Sequence, residues 1–163
     1  MIWIWSKEFD GVEDGDVLAT LSAAGDQSYD VVVAFDLIEH FTKPELLSLI
    51  DEVYRILKPG GTLIIHVPNA EGPWGSIMRY WDFTHELAFT RNSLAQLLIS
   101  SGFSQVACFE DTPVSHGMKS AIRALGWQMI RFGLLLRVAI ETGSFDRKAV
   151  FTQNLLAVAH RGI

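Results

Sequence analysis

Acidic and imidazole side chains follow directly after the most apolar run in the first third of the chain. The run Tyr29–Phe35 is rich in valine and is followed by Asp36, Glu39 and His40. In open α/β sheets, ligands bind beyond the carboxyl ends of the strands. A carboxylate and an imidazole at such a position can bind a ligand or accept its proton. The alternative is structural, with Asp36 capping the turn and His40 packed beneath the sheet.

A second set of polar side chains occupies residues 80–86, whose sequence is YWDFTHE. His85 is a candidate general base, because the pKa of an imidazole lies near neutrality. Tyr80 or Asp82 is placed to orient His85 or its substrate. The alternative is a loop histidine held by local hydrogen bonds. His66 ends a further apolar run and is interpreted as a structural histidine at the edge of the core.

Two buried strands and the helix between them would position the first set. Residues 29–35 and 62–67 are continuous apolar runs, which are typical of strands buried on both faces of a parallel sheet. Residues 42–57 predict a helix, because Thr42 and Glu45 have capping-box spacing and a Pro-Gly-Gly sequence follows. The other predicted elements are strands at residues 1–5, 103–109 and 153–160, helices at 17–24, 92–101 and 116–142, and a long loop at 68–89.

Composition narrows the classes of partner and the cellular compartment. The 163 residues, 49% of them hydrophobic, are enough to form one core. The net charge of −6 argues against nucleic acid as a partner, because phosphate binding needs a basic surface. The lone cysteine, Cys108, excludes an internal disulfide and favours a reducing, cytoplasmic location. No uncharged apolar run reaches the roughly 18 residues that indicate a membrane span.

The stretch 117–142 is rich in leucine, isoleucine and arginine, with apolar residues nearly all round the predicted helix. We interpret it as a buried or interface helix. The alternative is a helix on a membrane surface, with Arg131 and Arg137 near lipid phosphates. The protein would then be membrane-peripheral.

The strand–turn–helix–strand segment 28–69, with its D-x-x-E-H turn and K-P-G-G stop, resembles the second half of a class I S-adenosylmethionine-dependent methyltransferase. The segment D-F-T-H-E and the Gly-Phe pair at 102–103 extend the resemblance, which spans about residues 11–163. It implies an α/β, partial Rossmann-like fold, with a mostly parallel sheet and an antiparallel last strand. The whole chain would be a single domain, with a helical insertion at 115–143.

The resemblance also implies roles for individual residues. Phe35, Asp36 and Leu37 would lie beside the cofactor, S-adenosylmethionine. Asp16, followed by Val17, resembles the acidic residue that accepts a hydrogen bond from the adenine amino group. The alternative for Asp16 is a carboxylate in a solvated turn.

The reacting groups implied by the resemblance are His40 and His85, with Tyr80 beside them. A metal site is a further alternative, because some methyltransferases that modify vicinal hydroxyls or RNA ends use a similar E-x-x-E-H site. Its ligands here would be Asp36, Glu39, His40 and His85, with Asp in place of the first Glu. The same letters are common without a metal, so no metal site is assigned.

The sequence departs from the family in its first part. It contains no G-x-G triplet in a strand-turn-helix context and no acidic residue at the end of a recognisable second strand. We therefore expect a truncated member in which S-adenosylmethionine binding is weak or lost. The strand Tyr29–Phe35 would have an open edge, which residues 1–5 or a second copy of the chain would cover. On this ground we predict a homo-oligomer.

Two functions follow from the resemblance. One is methyl transfer to an oxygen or nitrogen of a small molecule. A saccharide or glycan precursor is the acceptor suggested by a weak similarity of residues 117–155 to methyltransferases among polysaccharide-assembly proteins. The other is a catalytically inactive homologue that acts as a binding or scaffold subunit.

Overall fold

The sheet has five strands in the spatial order β1-β2-β3-β5-β4. The computed structural model describes residues 2–5, 16–114 and 116–163. The strands are β1 (Ile2–Trp5), β2 (Tyr29–Phe35), β3 (Leu57–Pro68), β4 (Phe103–Glu110) and β5 (Asn154–Arg161). Strands β2, β3 and β4 point in one direction, and β5 runs antiparallel between β3 and β4. The predicted partial Rossmann-like sheet with an antiparallel last strand is thus confirmed.

In the described part of the chain, five α-helices and one 3₁₀ turn connect the strands. The helices are α1 (Val17–Ala23), α2 (Lys43–Ile56), α3 (Gly75–Tyr80), α4 (Arg91–Ser100) and α5 (Met118–Thr142), and the 3₁₀ turn is Ile38–His40. Helix α2 begins with the predicted capping box, in which the Thr42 backbone N–H donates to Glu45 Oε2 over 2.9 Å. Helix α3 lies inside the stretch that the sequence predicted to be loop throughout, so that prediction was wrong there.

One hydrophobic core holds β2 and β3 against helix α2. Helix α2 buries a stripe of aliphatic side chains that includes Leu46, Ile50 and Val53. Strands β2 and β3 contribute Val32 and Leu63, each at most 1% exposed. Apolar periodicity thus places α2 on the sheet, and the carboxyl ends of β2 and β3 are thereby fixed side by side.

Strand β1 covers the outer edge of β2. It pairs antiparallel with β2, with Ile2 opposite Ala34 and Trp5 opposite Val31. This is one of the two ways in which the sequence analysis expected the β2 edge to be covered. The edge-pairing argument for a homo-oligomer therefore loses its ground, and the oligomeric state stays a prediction.

Within the described ranges, no helix is both long enough and apolar enough to cross a bilayer.

Candidate functional site

The turn after β2 is held in place by His66 of β3. Asp36 has a positive φ of 44°, a conformation that L residues rarely adopt and that short polar side chains tolerate best. Its backbone N–H donates to the carbonyl of His66 over 2.9 Å, and its Oδ1 lies 2.8 Å from His66 Nδ1. The rings of Phe35 and His66 stack with centroids 4.7 Å apart. His66 is therefore a positioning residue for the turn.

Glu39 is a buried carboxylate within the 3₁₀ turn. It is 1% exposed, and neither Oε atom has a hydrogen-bond partner in the described part of the chain. Burial raises the pKa of the Glu39 carboxyl above its ordinary value, because a desolvated charge is unfavourable. Buried carboxylates are normally paired, so this one is exceptional.

His40 and His85, distant in sequence, are brought together beside Glu39. Their ring centroids lie 4.9 Å apart at an angle of 65°. One nitrogen of each ring and one Glu39 oxygen lie within 4.8 Å of one another. We name these three residues the Glu39–His40–His85 cluster. It unites the two polar sets that the sequence analysis had treated separately.

Hydrogen bonds at Nδ1 fix the protonation of both imidazoles. Thr84 Oγ1 lies 2.7 Å from Asp82 Oδ1, to which it donates, and 2.9 Å from His40 Nδ1, from which it accepts. His85 Nδ1 lies 3.2 Å from the carbonyl oxygen of Met78, which can only accept. Each neutral ring therefore carries its proton on Nδ1 and leaves the Nε2 lone pair free.

Backbone hydrogen bonds fasten the second polar segment to the first. The carbonyl of Glu39 accepts from the backbone N–H groups of Glu86, over 2.8 Å, and of Leu87, over 3.0 Å. The Arg79 guanidinium donates to the carbonyls of His85 and Glu86. The cluster is therefore held on both sides by main-chain contacts, which do not depend on a ligand.

The predicted role of Tyr80 stays untested, and Asp82 has the better contacts. Tyr80 is exposed at the end of α3, and its ring lies 5.2 Å from the Arg79 guanidinium carbon. Asp82 orients His40 through Thr84, as described above. Backbone and side-chain hydrogen bonds from Thr84 hold the pKa of the Asp82 carboxyl below its ordinary value.

The predicted cofactor residues lie on two elements. Phe35, Asp36 and Leu37 follow the carboxyl end of β2, whereas Asp16 is the N-cap of α1 and Val17 is its first residue. Asp16 Oδ1 accepts from the backbone N–H groups of two residues in α1, and its Oδ2 makes no hydrogen bond with the described residues. Across the described ranges, no hydrogen bond or ion pair joins Asp16 to the β2 turn. Their shared role stays a prediction.

A cavity of about 740 Å³ lies elsewhere, between α4, β4 and α5. Four basic side chains line it, of which Arg91 is paired with Asp146 at 2.7 Å and Arg131 with Glu110 at 2.9 Å. None of the lining residues belongs to the Glu39–His40–His85 cluster. We therefore do not assign this cavity to the chemistry at the strand ends.

Comparison with known families identifies the chain. Residues 7–107 match the family model described as a methyltransferase domain. The chain belongs to the class I S-adenosylmethionine-dependent methyltransferases. The predicted family is thus confirmed, and S-adenosylmethionine is the cofactor of that family. No curated protein matches the chain significantly.

Solved methyltransferase structures share the fold. An S-adenosylmethionine-dependent methyltransferase from Archaeoglobus fulgidus is 19% identical, with a TM-score of 0.65, over 94% of this chain and 68% of its own. One from Thermotoga maritima is 17% identical, with a TM-score of 0.56, over 85% and 58%. Phosphoethanolamine N-methyltransferase 2 from Haemonchus contortus, solved with S-adenosylmethionine, is 15% identical, with a TM-score of 0.53, over 86% and 35%. The chain thus spans between about a third and two-thirds of these methyltransferases.

Proposed function

We propose that this methyltransferase-family chain transfers a methyl group from S-adenosylmethionine to an oxygen or nitrogen of a small acceptor. The observation that carries the proposal is the Glu39–His40–His85 cluster beyond the carboxyl end of β2. Its free atoms are two imidazole Nε2 lone pairs and two carboxylate oxygens, all of which accept hydrogen bonds. Such a set binds a proton-bearing group and can take up its proton.

The residues after β2 are suited to bind the positively charged sulfonium group of the cofactor. S-adenosylmethionine supplies an electrophilic methyl group on a positively charged sulfonium. The exposed carboxylate of Asp36 favours a positive charge nearby. The ring of Phe35 is stacked on His66 yet 42% exposed, so it offers a surface for a ligand. The second oxygen of Asp16 is an acceptor for the adenine amino group.

The residues of the chain act mainly by positioning and by accepting a proton. An acceptor O–H or N–H would donate to the Nε2 atom of His40 or His85. That nitrogen would take up the proton as the acceptor gains the methyl group, which S-adenosylmethionine would supply with loss of its own carbon–sulfur bond. The negative charge of Glu39 stabilises the imidazolium that forms. Fixed rings and a fixed backbone supply the orientation on which such a displacement depends.

A saccharide is the acceptor that the surroundings of the cluster favour. Tyr80, Trp81 and Phe83, which flank Asp82, are each more than three-quarters exposed. Exposed aromatic rings present large, rigid apolar faces beside polar groups, and these complement the apolar faces of sugar rings. The hydroxyls of a sugar would then reach a cluster that contains only hydrogen-bond acceptors.

The test is transfer of labelled methyl from S-adenosylmethionine to a panel of monosaccharides, nucleotide sugars and small amines. We expect labelled product with the unmodified chain and a rate lower by about 100-fold or more in His85→Ala, since a general base contributes that much. His116→Ala, which removes an exposed histidine outside the site, is the matched control. An equal rate in His85→Ala would contradict the assigned chemistry. Label in amines but in none of the sugars would contradict the saccharide assignment.

Helix α5 supports a further proposal about where the protein acts. Ile122, Leu125, Met129, Phe132 and Leu136 recur at three- and four-residue spacing, and each is between 47% and 72% exposed. The other face of the helix packs around Leu135 against Ala149 and Phe151, which precede β5. Its exposed face is therefore an apolar stripe that nothing in the described chain covers.

Charge favours an anionic lipid surface as the partner of this stripe. Lys119, Arg123 and Arg137 are exposed on α5, and Glu141 is the only acidic residue in the sequence of the helix. Two copies of such a face would bring like charges together, whereas anionic headgroups would neutralise them. Sedimentation with phosphatidylserine-containing vesicles, but not with neutral phosphatidylcholine vesicles, is the expected result. No sedimentation with either, or a salt-stable dimer formed through α5, would contradict the proposal.

A further inference from the structure

We propose that the Glu39–His40–His85 cluster binds one divalent transition-metal ion, through two imidazoles and one carboxylate. The ion-binding site stands on the geometry of these three residues alone. Only the consequence for the methyl acceptor rests on the proposed function.

The first argument is the buried negative charge of Glu39. Its side chain is almost completely buried and both carboxylate oxygens lack partners. A buried charge is strongly unfavourable unless a counter-charge or hydrogen bonds compensate it. The Arg79 guanidinium is on the same segment as His85, but it donates to the carbonyls of His85 and Glu86 instead. The described chain thus leaves both carboxylate oxygens of Glu39 without a hydrogen-bond donor, and a cation at the cluster would compensate the buried charge.

The second argument is the orientation of the two imidazoles. Metal-bound histidines usually donate their other ring N–H to a carbonyl or carboxylate, which fixes the tautomer and aims the free nitrogen. His85 Nδ1 donates to the carbonyl of Met78, and His40 Nδ1 donates to Thr84, which in turn donates to Asp82. Both rings therefore carry the outer hydrogen bond of a metal ligand, and Nε2 is the nitrogen left available to the ion.

The third argument is the composition and number of the ligands. Two imidazoles and one carboxylate are a donor set suited to Zn²⁺ or Fe²⁺, and three protein ligands leave a coordination position open. Asp36 does not belong to the group of ligand atoms that lie within 4.8 Å of one another, and its Oδ1 contacts His66 instead. The site thus has three members and differs from the four-residue alternative raised by the sequence. With the ion bound, both Nε2 atoms are ligands and no longer take up the acceptor's proton. An acceptor hydroxyl in the open position would then release its proton to water, since a bound metal lowers the pKa of its ligands.

The test is titration of the metal-free full chain with Zn²⁺ by calorimetry, and with Co²⁺ by visible absorption. We expect one ion per chain, with a Co²⁺ spectrum that reports nitrogen and oxygen ligands. His85→Ala and Glu39→Gln should each weaken binding by about tenfold or more. Thr84→Val, which removes the hydroxyl that links His40 to Asp82, should weaken it by about tenfold. His116→Ala should bind like the unmodified chain.

Three results would overturn the inference. They are no Zn²⁺ binding in the unmodified chain, binding lost only in His116→Ala, and unchanged binding in both Glu39→Gln and His85→Ala. Circular dichroism in the presence of a chelator identifies a variant that has not folded. If His85→Ala does not fold, the nearly isosteric Glu39→Gln variant still tests the metal site. S-adenosylmethionine binding is measured on the same samples. If the unmodified chain binds Zn²⁺ but not S-adenosylmethionine, the result would contradict the proposed function and support the metal site.

Discussion

Two regions of the molecule leave opposite kinds of surface unsatisfied. The Glu39–His40–His85 cluster encloses a carboxylate and two imidazole lone pairs, without a donor or cation among the described residues. Helix α5 exposes apolar side chains to water beside basic ones. Within the part of the chain that the structure describes, the first region has no cation beside its carboxylate, and the second has no apolar surface packed against its exposed side chains. On this contrast we propose two different partners, a small cation or substrate at the strand ends and an extended anionic surface along α5.

The two regions also differ in how they are attached to the sheet. The cluster is held by two backbone N–H groups that donate to the Glu39 carbonyl, and by the Arg79 guanidinium, which donates to two backbone carbonyls. Helix α5 depends on side chains, above all on Glu110 of β4, which accepts from Arg131, Trp127 and the backbone of Phe151. The attachment of α5 should therefore be easier to break by single substitutions than the cluster.

The largest effect should come from Glu110→Ala. This change removes three hydrogen bonds and deprives the largely buried Arg131 of its carboxylate partner, for a loss of about 3 kcal/mol in the free energy of unfolding. Urea denaturation measures it. Zn²⁺ affinity, measured in parallel, should not change. A fall in Zn²⁺ affinity would show that the two regions are coupled and would break the comparison.

A pair of substitutions separates the two faces of α5. Leu135→Ala, on the buried face, should lower the free energy of unfolding by about 2 kcal/mol, because it opens a cavity in a small apolar cluster. Phe132→Ser, on the exposed face, should change it by less than about 0.5 kcal/mol. Phe132→Ser should instead weaken binding to anionic vesicles. Equal destabilisation by both changes would mean that the exposed face is covered in solution.

Glu39→Gln should stabilise the metal-free protein by about 1 kcal/mol, since it removes an uncompensated buried charge and supplies two N–H donors to the imidazoles. Thermal unfolding in chelator measures the change. A clearly less stable variant would indicate that the carboxylate already has a partner in solution, and the contrast with α5 would then be lost.

The smallest effect concerns the ion pair between Arg91 and Asp146, which ties α4 to the loop after α5. The hydrogen bond from Arg91 holds the pKa of the Asp146 carboxyl below its ordinary value. Its contribution is therefore present above the unfolded pKa of about 4 and is lost as the pH falls through the lower folded pKa. Asp146 is partly exposed, so we expect less than about 1 kcal/mol. Asp146→Asn should remove this part of the acid dependence; an unchanged unfolding profile between pH 5 and about 2 would contradict it.

The part of the fold around β2 and α2 was predictable because local signals agree there. The apolar run Tyr29–Phe35 forms β2 with the predicted bounds, and the capping box at Thr42 marks the start of α2 within one residue. Helix α3 was missed because it has six residues and lies in a stretch of glycine and aromatic residues without helical periodicity. Short elements of this kind depend on tertiary contacts, here the hydrogen bonds of Arg79.

The sequence predicted two separate sets of candidate residues, but it did not predict that they form one cluster. His40 and His85 were named from their residue types, but nothing local indicates that the carbonyl of Glu39 binds the backbone after His85. The same holds for His66, whose bond to Asp36 depends on the register of two parallel strands. The burial of Glu39 is likewise a product of packing, and the sequence gives no signal for its lack of a partner.

The central claim is that this chain binds the cofactor of its family at the carboxyl end of β2, and calorimetric titration with S-adenosylmethionine and S-adenosylhomocysteine tests it most directly. We predict one site per chain with a dissociation constant between about 1 μM and 1 mM, and weaker binding in Phe35→Ala than in His116→Ala. No binding of either ligand at concentrations of several times that upper bound would contradict the account, and would favour a binding or scaffold subunit without methyltransferase activity.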